Sequence, residues 1–268
     1  MGAMTFLLLL LALAPGRALA DEPAITFLFG DAVVLQLTAA QLRALPGTKE
    51  IELSDPFYDG RRKRYRAAPL KDLLAAAYGA SETKNEEFLF EARDGYRSHA
   101  KAALLSEEGG FLAFEDLDAP SWEELPREKA KPGPFYLVWT GARQSPKNGY
   151  PWPWQIATVK PARIEDEFPK AVPRAAAPDS RAAAGWTIFR SRCLSCHAIS
   201  GQGGSVGPDL NEPRGITRYH DKGELKAYIH RASSFRHTKM PDFDELTPRD
   251  LDDLVAYFDF MTEQAGTK

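Results

Sequence analysis

Cys193-Leu194-Ser195-Cys196-His197 is the stretch on which the reading of this chain turns, because it holds both cysteines of the 268 residues. Two thiols three positions apart, with a histidine directly after the second, have the spacing that binds one porphyrin through its two vinyl groups and sets the imidazole beneath the iron. The spacing predicts one covalent haem c on Cys193 and Cys196, with His197 as an iron ligand. Other uses of a cysteine pair fit less well. A structural zinc site needs two further ligands, and there is no third cysteine. A redox dithiol opens a helix after a buried strand and has no need of the histidine. Here residues 182–189, ahead of the pair, read as a helix.

A low-spin haem takes a second axial ligand, usually methionine sulfur or histidine nitrogen. Beyond the first 20 residues the candidates are Met240, Met261, His99, His220, His230 and His237. Met240, followed by Pro241 in an irregular stretch between helices, is the expected ligand, and His237 is its competitor three residues away. The glycine-rich run 201–207 lacks the Gly-Lys-Ser/Thr ending of a phosphate loop and reads as a wrap on the His197 side of the haem.

Residues 1–20 read as an export signal: an apolar run from Phe6 to Ala14, then Ala18-Leu19-Ala20 as a small-x-small cleavage site before Asp21. The run is well short of the roughly 20 residues that span a bilayer, so a cleaved signal is expected, with an uncleaved amphiphilic anchor as the alternative. Attachment of haem to cysteines takes place outside the cytoplasm, so a bacterial periplasm is the expected compartment. A formal charge of -3 and a pI near 6.0 offer no footprint for nucleic acid.

Three prolines and four alanines between 168 and 178, with no periodic apolar face, predict a spacer over 168–179 with little to bury. It divides an N-terminal domain, 21–167, from a C-terminal one, 180–268. The latter reads as helices over 180–192, 222–233 and from Thr247-Pro248 onward, the last with Leu251, Leu254, Val255 and Phe258 as its apolar stripe. The N-terminal domain is α+β. Strands are expected at 25–29, 33–37, 50–53, 87–92, 96–100, 135–139 and 155–159, and helices after the Thr38/Gln41 capping box and over 69–78. The run Arg61-Arg62-Lys63-Arg64-Tyr65-Arg66 reads as a solvated hairpin or a dock for an acidic partner. Tyr150-Pro151-Trp152-Pro153-Trp154 reads as an interaction platform, as a cover over the C-terminal haem domain, or as packing on its own domain's core. Glu107-Glu108 and Glu123-Glu124 read as surface acids.

With these pieces assembled, residues 182–263 resemble class I cytochrome c of the small monohaem type. The resemblance rests on Gly185 and Phe189, the cysteine motif, Gly207-Pro208-Asp209-Leu210, Met240-Pro241, and the stripe from Leu251 to Phe258. It implies an all-α domain whose first and last helices cross at Gly185 and Tyr257. It also implies Met240 as distal ligand and support of the haem pocket by Gly207 and Pro208, the Pro208 carbonyl accepting a hydrogen bond from His197. The N-terminal domain resembles the molybdopterin-binding fold of sulfite-oxidase-type enzymes, through Leu45-Pro46, Pro69-Leu70 with Leu73-Leu74, Asp94-Gly95-Tyr96 and the strand after Pro134. Those enzymes hold molybdenum through a cysteine thiolate, and both cysteines here are committed to haem, so no molybdenum cofactor is expected. The expected function is electron transfer with a periplasmic redox protein, the N-terminal domain serving as a non-catalytic recognition module. A haem-containing oxidoreductase acting on a small substrate and a haem-based gas sensor are the alternatives.

Overall fold

The computed structural model describes residues 22–79 and 87–266; the expected export signal lies outside the described residues. The chain begins with a hairpin of β1 (Ala24–Phe29) and β2 (Ala32–Thr38). Thr38 then caps α1 (Ala39–Ala44), its side chain accepting from the Gln41 amide while the Gln41 side chain accepts from the Thr38 amide. Next come β3 (Lys49–Ser54), β4 (Arg62–Pro69), α2 (Leu70–Tyr78), β5 (Glu87–Ala92), β6 (Arg97–Lys101), α3 (Ala102–Leu105), β7 (Gly110–Asp116), β8 (Tyr136–Trp139), β9 (Ile156–Ala162) and α4 (Ile164–Glu167). They form a sheet of order β2-β1-β9-β5-β6 and a second of order β3-β4-β7-β8. The α+β class of this region is as expected.

Two strands are not among those expected from the sequence. The basic run lies in the β3–β4 hairpin, its arginines 61, 62 and 64 largely exposed as a solvated hairpin would have them, and it enters β4, an interior strand between β3 and β7. Its charges are matched across the sheet, since the register sets Arg64 opposite Glu52, and Arg66 opposite both Glu50 and Glu115. Arg66 pairs with Glu50 at 2.8 Å and Glu115 at 3.1 Å, Arg64 with Asp118 at 2.9 Å, Arg61 with Glu123 at 2.8 Å, and Arg62 with Glu52. Lys63 points inward, 2% exposed, to Asp116 and Glu123, each at 3.0 Å. Glu123 is therefore tied into a partly buried ion-pair network, unlike the free surface acid expected. The other departure is β7, whose unbroken buried run Phe111-Leu112-Ala113-Phe114 shows none of the alternation of a half-exposed strand.

The C-terminal region is helical, with α5 (Arg181–Arg192) capped by Ser180, α6 (Lys222–His230) capped by Asp221, and α7 (Pro248–Gly266). A short ladder of β10 (Ala198–Ile199) and β11 (Gln202–Gly203) follows the cysteine motif. α5 and α7 cross at Gly185, where a Cβ would collide with the Asp253 carbonyl and lie 2.7 Å from Cβ of Tyr257. All four residues of the expected stripe on α7 are buried, and Met261 joins them at 2% exposure.

There are two apolar cores, one within residues 25–159 and one drawn from 164–261 together with Leu89. Leu89 shows how they meet. Successive side chains of a strand face opposite ways, so Phe88 and Phe90 of β5 enter the first core while Leu89 enters the second. Leu89 lies opposite His99 of β6 in register, which gives this outer sheet face Glu87, Leu89, Arg97 and His99 together. The spacer is accordingly not bare. Phe168 and Ala171 are fully buried in the second core, Arg97 sits 5.6 Å over the Phe168 ring, and the Tyr257 hydroxyl donates to the Ala171 carbonyl at 2.6 Å. The expectation that residues 168–179 have little to bury is corrected for their first half, because composition does not reveal an aromatic anchor at the start of a proline-rich run.

Candidate functional site

The cysteine motif lies in the turn that ends α5. Phe189 anchors it: its carbonyl accepts from the amides of both Cys193 and Leu194, and the Cys193 carbonyl accepts from Cys196 and His197. Neither cysteine is in a disulfide. Burial pushes the Cys193 thiol up to about 12 and the Cys196 thiol up to about 11, the second helped by the charge of Asp94. Both are neutral thiols at ordinary pH.

His197 is oriented by one contact and walled by glycines. Its Nδ1 lies 2.8 Å from the Pro208 carbonyl. A carbonyl only accepts, so Nδ1 carries the proton and Nε2 keeps its lone pair. Burial holds the imidazole below its ordinary value, against the opposing Pro208 bond and Asp209 charge, which favours the neutral ring. A Cβ at Gly207 would fall 2.5 to 2.9 Å from imidazole atoms, and one at Gly203 or Gly204 would strike the backbone of His197 or Ser195. The glycine run thus packs against the His197 side, as its sequence position suggested.

Two polar residues complete the loop, and sequence reasoning gave neither a role. The Asp209 carboxylate accepts from the amides of Ser200, Gly201, Asn211 and Glu212, at 2.6 to 3.2 Å. Buried Asn211 donates to the Ser200 hydroxyl at 3.0 Å and to the Met261 carbonyl at 3.2 Å, fastening the loop to α7. An acid two residues past Gly207, serving a turn with left-handed Ser200 and Gly201, was the available signal.

Met240 lies in the irregular segment between α6 and α7, half-buried against the second core, with its amide donating to the Thr238 hydroxyl at 3.1 Å. His237 is exposed. The segment is held at its flanks by Asp242, which accepts from the Ser233 amide at 2.9 Å, and by the Arg231–Asp244 pair at 2.8 Å. The aromatic Pro-Trp segment is settled as packing: Trp152 is buried in the first core, and Trp139 donates to the Pro151 carbonyl at 2.7 Å.

Two unpaired thiols in the turn after α5, a histidine with a free Nε2 and a nearby chain segment bearing methionine are the kinds of group that a covalently bound haem would use. Comparison agrees at the level of family: residues 182–260 match the cytochrome c family, and this part of the chain is a cytochrome c domain. No curated protein matches the chain. Among solved structures, the sulfane dehydrogenase SoxCD from Paracoccus pantotrophus is similar at 17% identity and a TM-score of 0.35, over 52% of this chain and 38% of that one. The chain thus spans well under half of that protein, and a likeness so slight carries no argument about fold or activity.

The c-type haem that a cytochrome c domain implies suits the residues present. The thiols are unpaired, the imidazole offers its Nε2, and Gly207 leaves the ring unobstructed where any side chain would crowd it. Among the described residues no group of three or more His, Cys, Asp or Glu side chains could hold a metal ion. Among them, too, no helix is long and apolar enough to cross a membrane.

Proposed function

We propose that the protein is a periplasmic electron carrier with one haem c, bound covalently by Cys193 and Cys196 and axially by His197 and Met240. The N-terminal domain is a non-catalytic module that fixes the carrier's place and partner. The haem-electron-transfer role follows from the cytochrome c domain; the observation that supports the ligand assignment is His197, pinned through Nδ1 by Pro208 beside two unpaired thiols.

When bound, the haem supplies a one-electron iron couple. The chain's own residues do the rest. The Pro208 carbonyl holds the imidazole in the tautomer that leaves Nε2 for iron. Asp209 and Asn211 keep the loop in one geometry, so that little has to rearrange when charge changes. Exchange with a redox protein is outer-sphere and needs no group of the N-terminal domain in a bond-making role. The export reading of residues 1–20 and the extracytoplasmic habit of cytochrome c domains support the periplasm.

The test is direct. Acid-acetone extraction should leave the colour with the polypeptide, metal analysis should give one iron and no molybdenum per chain, and Cys193→Ala with Cys196→Ala should abolish the colour. Extractable haem would defeat the covalent assignment. Stoichiometric molybdenum would defeat the non-catalytic reading of the N-terminal domain.

A further inference from the structure

The turn between β5 and β6 reaches out of the N-terminal domain onto the cysteine motif. The Arg97 amide donates to the Ser195 carbonyl at 2.9 Å, and the Ser205 amide donates to the Gly95 carbonyl at 3.0 Å. One turn is thereby bonded both to a residue inside the Cys-x-x-Cys motif and to the glycine run that walls His197. Its shape leaves little room for change. Gly95 has φ +89°, a conformation that side chains resist, and a Cβ there would run into the Ser205 side chain. Asp94 accepts from the Tyr96 amide at 3.0 Å and places its charge within reach of Cys196.

Tyr96 is the centre of the contact. Its phenol is turned toward Ser195 and Ser98, and burial pushes it up to about 12. Its ring is stacked on Trp154, with centroids 6.3 Å apart and planes at 7°, and Trp154 meets the edge of Phe57 at 5.0 Å. The first core therefore backs the turn. Beside it, Glu87 pairs with Arg190 of α5, and His99 Nε2 lies 2.9 Å from the Arg190 carbonyl.

We propose that the N-terminal domain is a built part of the haem site: the turn 93–97, with Tyr96 as its positioning residue, fixes the Ser195-Cys196 loop, keeps water from it and sets the iron's midpoint potential. This rests on the electron-carrier reading above. Two effects of the turn oppose each other. Exclusion of water disfavours the more highly charged ferric state and raises the potential, whereas the carboxylate of Asp94 favours that state and lowers it. Separate substitutions can release each one.

The experiment is a spectroelectrochemical titration of the full-length holoprotein at fixed pH and ionic strength. Asp94→Asn keeps an acceptor for the Tyr96 amide but removes the charge, and should raise the midpoint. Tyr96→Ala and Gly95→Val, which unseat the turn, should lower it, while Tyr96→Phe, which keeps the stack on Trp154, should stay closer to wild type than Tyr96→Ala. Tyr96→Ala serves if Gly95→Val does not fold. Wild-type midpoints in Asp94→Asn and Tyr96→Ala, with covalent haem intact in both, would overturn the proposal while leaving the electron-carrier reading standing. Absence of covalent haem from the wild-type chain is a different result, and would bring down both.

Discussion

At the scale of single residues, the contrast between Met240 and His237 is one of burial. Met240 is half-buried against the second core and His237 three positions earlier is exposed, so of the two candidate distal ligands the thioether is the better covered from water. Ferric haem bound by a thioether shows a weak far-red charge-transfer band that bis-histidine haem lacks. Met240→Ala should remove that band and His237→Ala should leave it; the reverse pattern in oxidised spectra would make His237 the ligand. Lys63 makes a second case, in the first core. The residue is 2% exposed with Asp116 at 7%, and removing one partner of such a pair leaves a buried charge unmatched, at a cost of about 3–5 kcal/mol. Lys63→Ala should lower the free energy of unfolding, measured by chemical denaturation, by that order. A loss below about 1 kcal/mol would mean that Asp116 is readily hydrated without its partner.

Secondary-structure elements show where sequence patterns suffice and where they do not. The α5–α7 crossing leaves no space for a side chain at Gly185, because the obstructing atoms are the Asp253 carbonyl group and Cβ of Tyr257, neither of which can swing aside. Overpacking of this kind costs about 1–3 kcal/mol, so Gly185→Val should destabilise the full-length protein by at least that range in chemical denaturation; wild-type stability would show that the helices can separate freely. This crossing, the stripe of α7 and the Thr38 cap were legible because each rests on a local pattern or on a family motif of fixed spacing. β4 and β7 were not. The four basic residues of β4 show no partners in the sequence until the acids of β3 and of the more distant β7 are brought beside them by the sheet. The continuous apolar run of β7 has no period to read, and only its place between two strands explains it. The haem motif was legible for the opposite reason, since all its decisive residues lie within five positions.

For the whole molecule, the union of the two halves was hidden from sequence because it is made by one face of β5 and β6, whose parity on the strand is visible only once the register is known. His99 makes that union sensitive to pH. Burial holds its pKa below the ordinary 6.5, against the hydrogen bond to the Arg190 carbonyl and the charges of Glu87 and Glu165, and with the Arg190 guanidinium on the same side as burial. The separated or unfolded chain therefore binds more protons below about 6.5, and stability, full above that pH, should fall as pH drops through it. His99→Gln, which keeps a donor for the Arg190 carbonyl, should flatten this slope in unfolding measured from pH 5 to 8; an unchanged slope would assign it to another group. Proteolysis gives the last expectation. Cleavage needs several residues of yielding backbone, and within the spacer Phe168, Ala171 and Pro173 are buried whereas Arg174 and residues 177–179 are exposed. Trypsin should cut native protein after Arg174 and spare Lys170, although the Lys170 side chain is itself exposed. The two pieces should still elute together from a sizing column, because the Glu87–Arg190 pair, the bonds of the turn 93–97 to Ser195 and Ser205, and the seating of Phe168 and Leu89 in the second core all survive the cut. Pieces that part without denaturant would mean that the sheet face does not hold the cytochrome domain, and the proposed control of its haem by the turn would have no footing.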